Sequence, residues 1–217
     1  MNIFTQIQLT CTIIIFLSTV VMNTAKKNTS LVVMYCIQSI ALAAILIIDA
    51  IQENTPVLIL ITLLMLLIKV IIAPQIFFRF IRAYKENFSA STYLNVPMTL
   101  GMIILLTMFA QSAIFTPLLS FITHISQFRM LVLGSILISL FLTINRKGAL
   151  SLIIGVLSLE NSVFALGTFL GVREAASLEI GILFDILFWV IIASVFIRML
   201  YRHYGTLDVT ELKLLQK

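Results

Sequence analysis

The stretch RKGALSLIIGVLSLENSVFALGTFLGVRE, residues 146–174, decides how this chain is read. It opens on Arg146-Lys147-Gly148, continues as an apolar run, and closes on Arg173-Glu174. A helix of about 20 mostly apolar residues is what crossing a bilayer requires. Glu160 nevertheless sits deep inside the run. A carboxylate at membrane depth is costly, and where chains keep one it usually handles ions or pairs with a buried cation. The next run, 177–201, repeats the pattern with Asp185.

The rest of the composition agrees. The 217 residues are 61% hydrophobic and 11% charged, with mean hydropathy +1.15. A soluble domain would be about 45–50% apolar and about 25% charged. The expectation is an all-α integral membrane protein, with 1–217 as a single transmembrane domain. Only four prolines and eight glycines are present, which leaves no material for long linkers. Cys11 and Cys36 fall inside apolar runs and suit packing better than a disulfide or a metal site. The net charge of +5 could suggest nucleic acid, but the basic residues cluster at run ends, as membrane topology demands. Met1-Asn2-Ile3-Phe4 lacks a positive leader, so the first run is expected to stay as a helix.

Seven runs are long enough to span: roughly 3–22, 30–50, 56–79, 97–115, 127–144, 149–171 and 177–201. The loops between them alternate in charge. One side holds Lys26, Lys27, Arg79, Arg82, Lys85, Arg146, Lys147, Arg198, Arg202, Lys213 and Lys217, whereas the other holds only Arg129 and Arg173. Positive loops stay in the cytoplasm. The N-terminus is therefore expected outside and the C-terminus inside. Asn28-Thr29-Ser30 and Asn87-Phe88-Ser89 match the glycosylation pattern but fall in loops placed inside, and read as chance matches.

The one basic residue left over is Lys69, ten residues before Arg79 and hence about 15 Å from the inner end of its helix. Pro74 follows, removing a backbone donor and clashing with the carbonyl of Val70, so a kink is expected one turn below the lysine. Counting places the two acids alongside. Glu160 lies thirteen residues beyond Lys147 and Asp185 thirteen before Arg198, which sets both about 20 Å from the same face. Desolvation favours a protonated carboxyl and a nearby ammonium favours an ionised one, and that coupling is the core of a proton relay. Glu160, Asp185 and Lys69 are the expected lining of a buried ion path. The competing reading is an ion-pair glue between helices, although buried ion pairs are weak evidence of stability. Asn161 is placed either to hydrogen-bond Glu160 or to bridge helices, and Gln38 to bridge helices. Asp49 and Glu53 read as a solvated outer rim, and His124 as a solvated loop residue.

No catalytic constellation stands out. The sequence has no Gly-rich phosphate loop, CxxC pair, HExxH or nucleophile elbow. His124 and His203 fall at membrane edges, so no cofactor is expected on this chain.

Several segments resemble a known family. These are Leu157-Ser158-Leu159-Glu160-Asn161, Glu179-Ile180-Gly181 followed by Asp185, and His203-Tyr204-Gly205-Thr206-Leu207-Asp208-Val209. Together with the length and the Lys69–Pro74 helix, they resemble hydrogenase-4 component E, a membrane subunit of formate-hydrogenlyase-type group 4 NiFe hydrogenase complexes. Component E is similar over its last three helices to the K subunit of NADH:quinone oxidoreductase and the C subunit of Mrp-type antiporters. The resemblance implies four N-terminal helices over 1–126 and a K-subunit-like three-helix part over 127–217. It also implies a cytoplasmic-membrane setting in bacteria or archaea. The implied partners are antiporter-like and quinone-reductase-H-like membrane subunits, with a peripheral NiFe hydrogenase or related module. In the K subunit a glutamate in each of the last two helices belongs to the proton path, and Glu160 and Asp185 stand in roughly those places. Two departures accompany this. Aligned on Gly155, Glu160 lies about one turn further along than the K-subunit acid, and the second acid is Asp rather than Glu.

Overall fold

The structure is a computed structural model of the chain and describes residues 3–53, 56–83, 92–115 and 126–169, with the isolated positions Ile191 and Arg198. These residues form six helices. In order they are α1 (Ile3–Thr24), α2 (Asn28–Glu53), a three-part α3, α4 (Val96–Ala110), α5 (Ser126–Asn145) and α6 (Ala149–Phe169). Helix α3 is α-helical over Pro56–Leu66, π-helical over Leu67–Ile72 and α-helical again over Ala73–Ala83. A short 3-10 turn, Ala113–Phe115, follows α4.

Four of these helices, α1, α2, α3 and α6, are long and apolar enough to cross a membrane. The expectation of seven full spans is corrected at the fourth and fifth. Helix α4 and the Met130–Asn145 part of α5 are apolar but shorter. The run expected over 97–115 stops as a helix at Ala110, because Gln111 turns its N–H back onto the carbonyls of Met108 and Phe109. Fifteen helical residues rise about 22 Å, short of a hydrocarbon core of about 30 Å. The seventh run, 177–201, lies outside the described residues apart from Ile191 and Arg198.

The bundle exposes large apolar side chains and buries polar ones beside its apolar core. Leu60, Leu63, Ile104, Leu105 and Met108 stand exposed, whereas Thr19, Asn23, Gln38, Ser39, Ser139 and Asn161 are buried. Water would punish both halves of that arrangement. A bilayer favours both, because hydrocarbon accepts the outer side chains and polar groups must find partners inside. With its four long apolar helices, this marks a multi-pass membrane protein.

Helices α1 and α2 pack along each other, α1 also meets α5, and α2 reaches α3 and α6. Helices α5 and α6 form a tight hairpin, and α4 rests on α5. Gly155 sets how close that hairpin is: a Cβ there would stand 2.9 Å from Thr143 Oγ1 and 3.2 Å from the Thr143 backbone.

The turn of that hairpin organises one end of the bundle. Arg146, expected as a loop charge, is only 2% exposed. Its guanidinium donates to the carbonyl of Ala25 at 3.0 Å and to that of Met22. It therefore caps the C-terminus of α1, where unpaired carbonyls and the helix dipole both favour a cation. Burial pushes the Arg146 guanidinium down to about 10, which leaves it charged at neutral pH. Thr92 pairs with Arg146 through the backbone, Asn145 Oδ1 accepts from the Leu94 N–H at 3.0 Å, and Lys147 lies 5.1 Å over the Tyr93 ring. The end of α1, the start of α4 and the α5–α6 turn are thus held at one end.

Candidate ion-pair site

The site starts from the proline in α3. Just before Pro74 the helix forms a π turn, Leu67–Ile72, that contains Lys69 itself. The N–H of Ala73 donates to the carbonyl of Ile68, five residues back, and Ala73 keeps a helical conformation. In that register a donor at position 74 would have addressed the carbonyl of Lys69, and proline has none to give. π turns occur mostly as single insertions in α-helices and are frequent at functional sites.

Lys69 is fully buried. Its ammonium donates to Glu160 Oε1 at 3.0 Å and to Asn161 Oδ1 at 2.6 Å, both on α6, and lies 5.1 Å from the centre of the Phe164 ring. The cation is thus held by one carboxylate, one amide oxygen and one aromatic face, all on neighbouring turns of one helix. Glu160 is less enclosed, with 22% of its side chain exposed. The pair joins a fully buried base to a partly exposed acid.

Behind Asn161 the polar contacts continue. Its Nδ2 donates to Gln38 Oε1 at 3.4 Å and to Ser39 Oγ at 3.0 Å on α2. Gln38 Nε2 donates to Thr19 Oγ1 at 3.2 Å, to the Ser158 carbonyl at 3.4 Å and to Ser162 Oγ at 3.5 Å. Ser139 on α5 contacts the hydroxyls of Ser158 and Ser162 at 3.0 and 3.3 Å. One seam of amides and hydroxyls therefore ties together α1, α2, α3, α5 and α6. The hydroxyl of Tyr35, one turn before Ser39, is buried with no hydrogen-bond partner among the described residues.

Of the three acid and base residues singled out by sequence, the structure brings Lys69 and Glu160 together, and Asp185 lies outside the described residues. Asn161 touches Lys69 rather than its neighbour Glu160, and Gln38 bridges α1 and α6. Ser39, Ser139, Ser158, Ser162 and Thr19 were not singled out. The signal available for two of them was Ser158 and Ser162, spaced four apart on the face that Asn161 shares. Asp49 is a correction: instead of a solvated rim it is 2% exposed and accepts from Gln8 Nε2 at 2.7 Å, because α1 lies directly along α2. His124 and His203 lie outside the described residues.

No protein-family model, curated protein or solved structure matches the chain.

Proposed function

We propose that this chain is a membrane subunit of an ion-translocating complex, of the hydrogenase-4 component E kind, and that Lys69 and Glu160 carry part of its proton or sodium path. The observation that supports this reading is the 3.0 Å contact between a fully buried ammonium and a partly exposed carboxylate. In hydrocarbon the pair has two states of equal net charge: ammonium with carboxylate, or amine with carboxylic acid. One proton passing from Lys69 Nζ to Glu160 Oε1 converts the first into the second. No net charge is left in the bilayer in either state, so the step avoids the cost of an isolated buried ion. In this reading Asp185, in the apolar run 177–201, continues the path, with the N-terminus outside and the C-terminus in the cytoplasm. The membrane is the cytoplasmic membrane of a bacterium or archaeon. The partners are antiporter-like and quinone-reductase-H-like subunits, with a peripheral NiFe hydrogenase or related module carrying the redox chemistry.

The test is Glu160→Gln and Asp185→Asn in the intact complex, read as proton pumping in membrane vesicles against the amount of assembled chain. Pumping falls at least several-fold with assembly preserved. Normal pumping in both variants defeats the relay. Failure to assemble makes the acids structural, and the chain a scaffold that seats its partners.

A further inference from the structure

The contacts around Lys69 have a direction. The ammonium can only donate, so the side-chain atom of Asn161 facing it is the oxygen. That orientation sends Asn161 Nδ2 toward α2, where it meets Gln38 Oε1 and Ser39 Oγ. Accepting there fixes Gln38 in turn, and its Nε2 faces Thr19 Oγ1, the Ser158 carbonyl and Ser162 Oγ. The Ser158 carbonyl can only accept, so it holds the far end of Gln38 in place. Two amide dipoles thus line up with their oxygens toward the cation, and in a low-dielectric interior such aligned groups polarise one another.

We infer that Gln38 is a positioning residue for the Lys69–Glu160 pair: acting through Asn161, it keeps an amide oxygen on the ammonium. This rests on the ion-path reading above. Gln38 forms no bond to Lys69 or to Glu160. Turning Asn161 over would place an NH2 group against an ammonium and an oxygen against Gln38 Oε1, two repulsive contacts in place of two hydrogen bonds. Gln38 therefore makes the wrong orientation of Asn161 unfavourable from the side away from the cation. The amides also release no proton at neutral pH. Of the polar groups touching Lys69, that leaves Glu160 as the one with which it exchanges a proton. Among the described residues, the titratable groups facing this site are Glu160 on α6 and Tyr35 on α2.

A positioning role of this kind has a specific suppressor. Asn161→Asp presents oxygen at both ends of its side chain, so it keeps an oxygen on the ammonium without Gln38 to orient it, at the cost of one oxygen facing Gln38 Oε1 while Gln38 is present. The full chain is prepared as wild type, Gln38→Met, Asn161→Asp and the double variant. Each is measured for thermal midpoint in detergent and, in the assembled complex, for ion translocation. Gln38→Met lowers the midpoint and slows translocation several-fold in the wild-type chain, whereas measured against Asn161→Asp alone the same substitution costs neither. Folding of Gln38→Met only when Asn161→Asp is also present is suppression as well, and supports the inference. Equal losses with and without Asn161→Asp, failure to fold in both cases, or no loss at all overturn it. The ion-path reading fails separately. If Glu160→Gln translocates normally, that reading is lost, and the thermal cycle still decides the role of Gln38.

Discussion

Among the described residues two cations are buried, and they are held in opposite ways. Arg146 lies at the end of the bundle with its guanidinium on the carbonyls of Ala25 and Met22. Lys69 lies in the middle of α3 against Glu160 and Asn161. Carbonyls cannot take up a proton at any ordinary pH, so those Arg146 contacts fasten the end of α1 and do no acid–base work. A carboxylate can, so the Lys69 contact has a second state. The residue types match these tasks: guanidinium keeps its charge and forks across two acceptors, whereas an ammonium gives up its proton more readily when buried. One cation closes the frame and the other sits where chemistry is possible.

The largest effect separating the two is expected at Lys69. Lys69→Arg keeps a positive charge beside Glu160 but holds its proton too tightly to pass it on. Lys69→Met removes the charge. Both variants abolish translocation in the assembled complex. If Lys69→Arg pumps normally, the ion pair is glue, and the contrast with Arg146 collapses into two structural cations. Next comes Arg146→Met, which strips donors from the carbonyls of Met22 and Ala25 and costs on the order of 3 kcal/mol. The thermal midpoint falls, and translocation per assembled chain is unchanged. A midpoint equal to wild type would show that water replaces the guanidinium and that the α1 cap is dispensable.

Much of this was legible in the sequence, and the reasons differ from place to place. Lys69 and Glu160 stood out because charge is rare in apolar runs, and counting from basic loops gave both a depth near mid-membrane. The partner of Lys69 on the next residue, Asn161, was harder to read: 100° per residue separates neighbours on a helix, and nothing in the sequence says which of two adjacent polar groups faces a lysine. Arg146 and Asp49 were misjudged for one reason. Both lie at run ends, where solvent exposure is the usual outcome, and their burial depends on α1 lying against both the α5–α6 turn and α2. The short α4 was hidden because hydropathy over 97–115 does not register that Gln111 closes the helix. Pro74 marked a break in the regular α-helix, but sequence rules did not say that the backbone meets it with a π turn.

The region between the two cations is the α5–α6 seam, and Gly155 offers the smallest of these tests. A methyl group at Gly155 meets the Oγ1 of Thr143 at 2.9 Å and its backbone N and Cα at 3.2 Å. The hydroxyl can move and the backbone cannot, so Gly155→Ala must widen the hairpin by a few tenths of an ångström. Overpacking of this kind costs about 1–3 kcal/mol. The strain falls next to the Ser139–Ser158 contact of 3.0 Å, one turn away on both helices. Glu160 lies five residues on, about 140° around the helix from Gly155, so the ion pair is on another face. Gly155→Ala should therefore lower the thermal midpoint without slowing translocation per assembled chain. Adding Thr143→Ala removes the hydroxyl but leaves the backbone, and restores only part of the loss. Full restoration would show that the hydroxyl alone sets the spacing. A fall in translocation matching the fall in stability would show that the seam and the ion pair are coupled, and that the frame and the site are not separate after all.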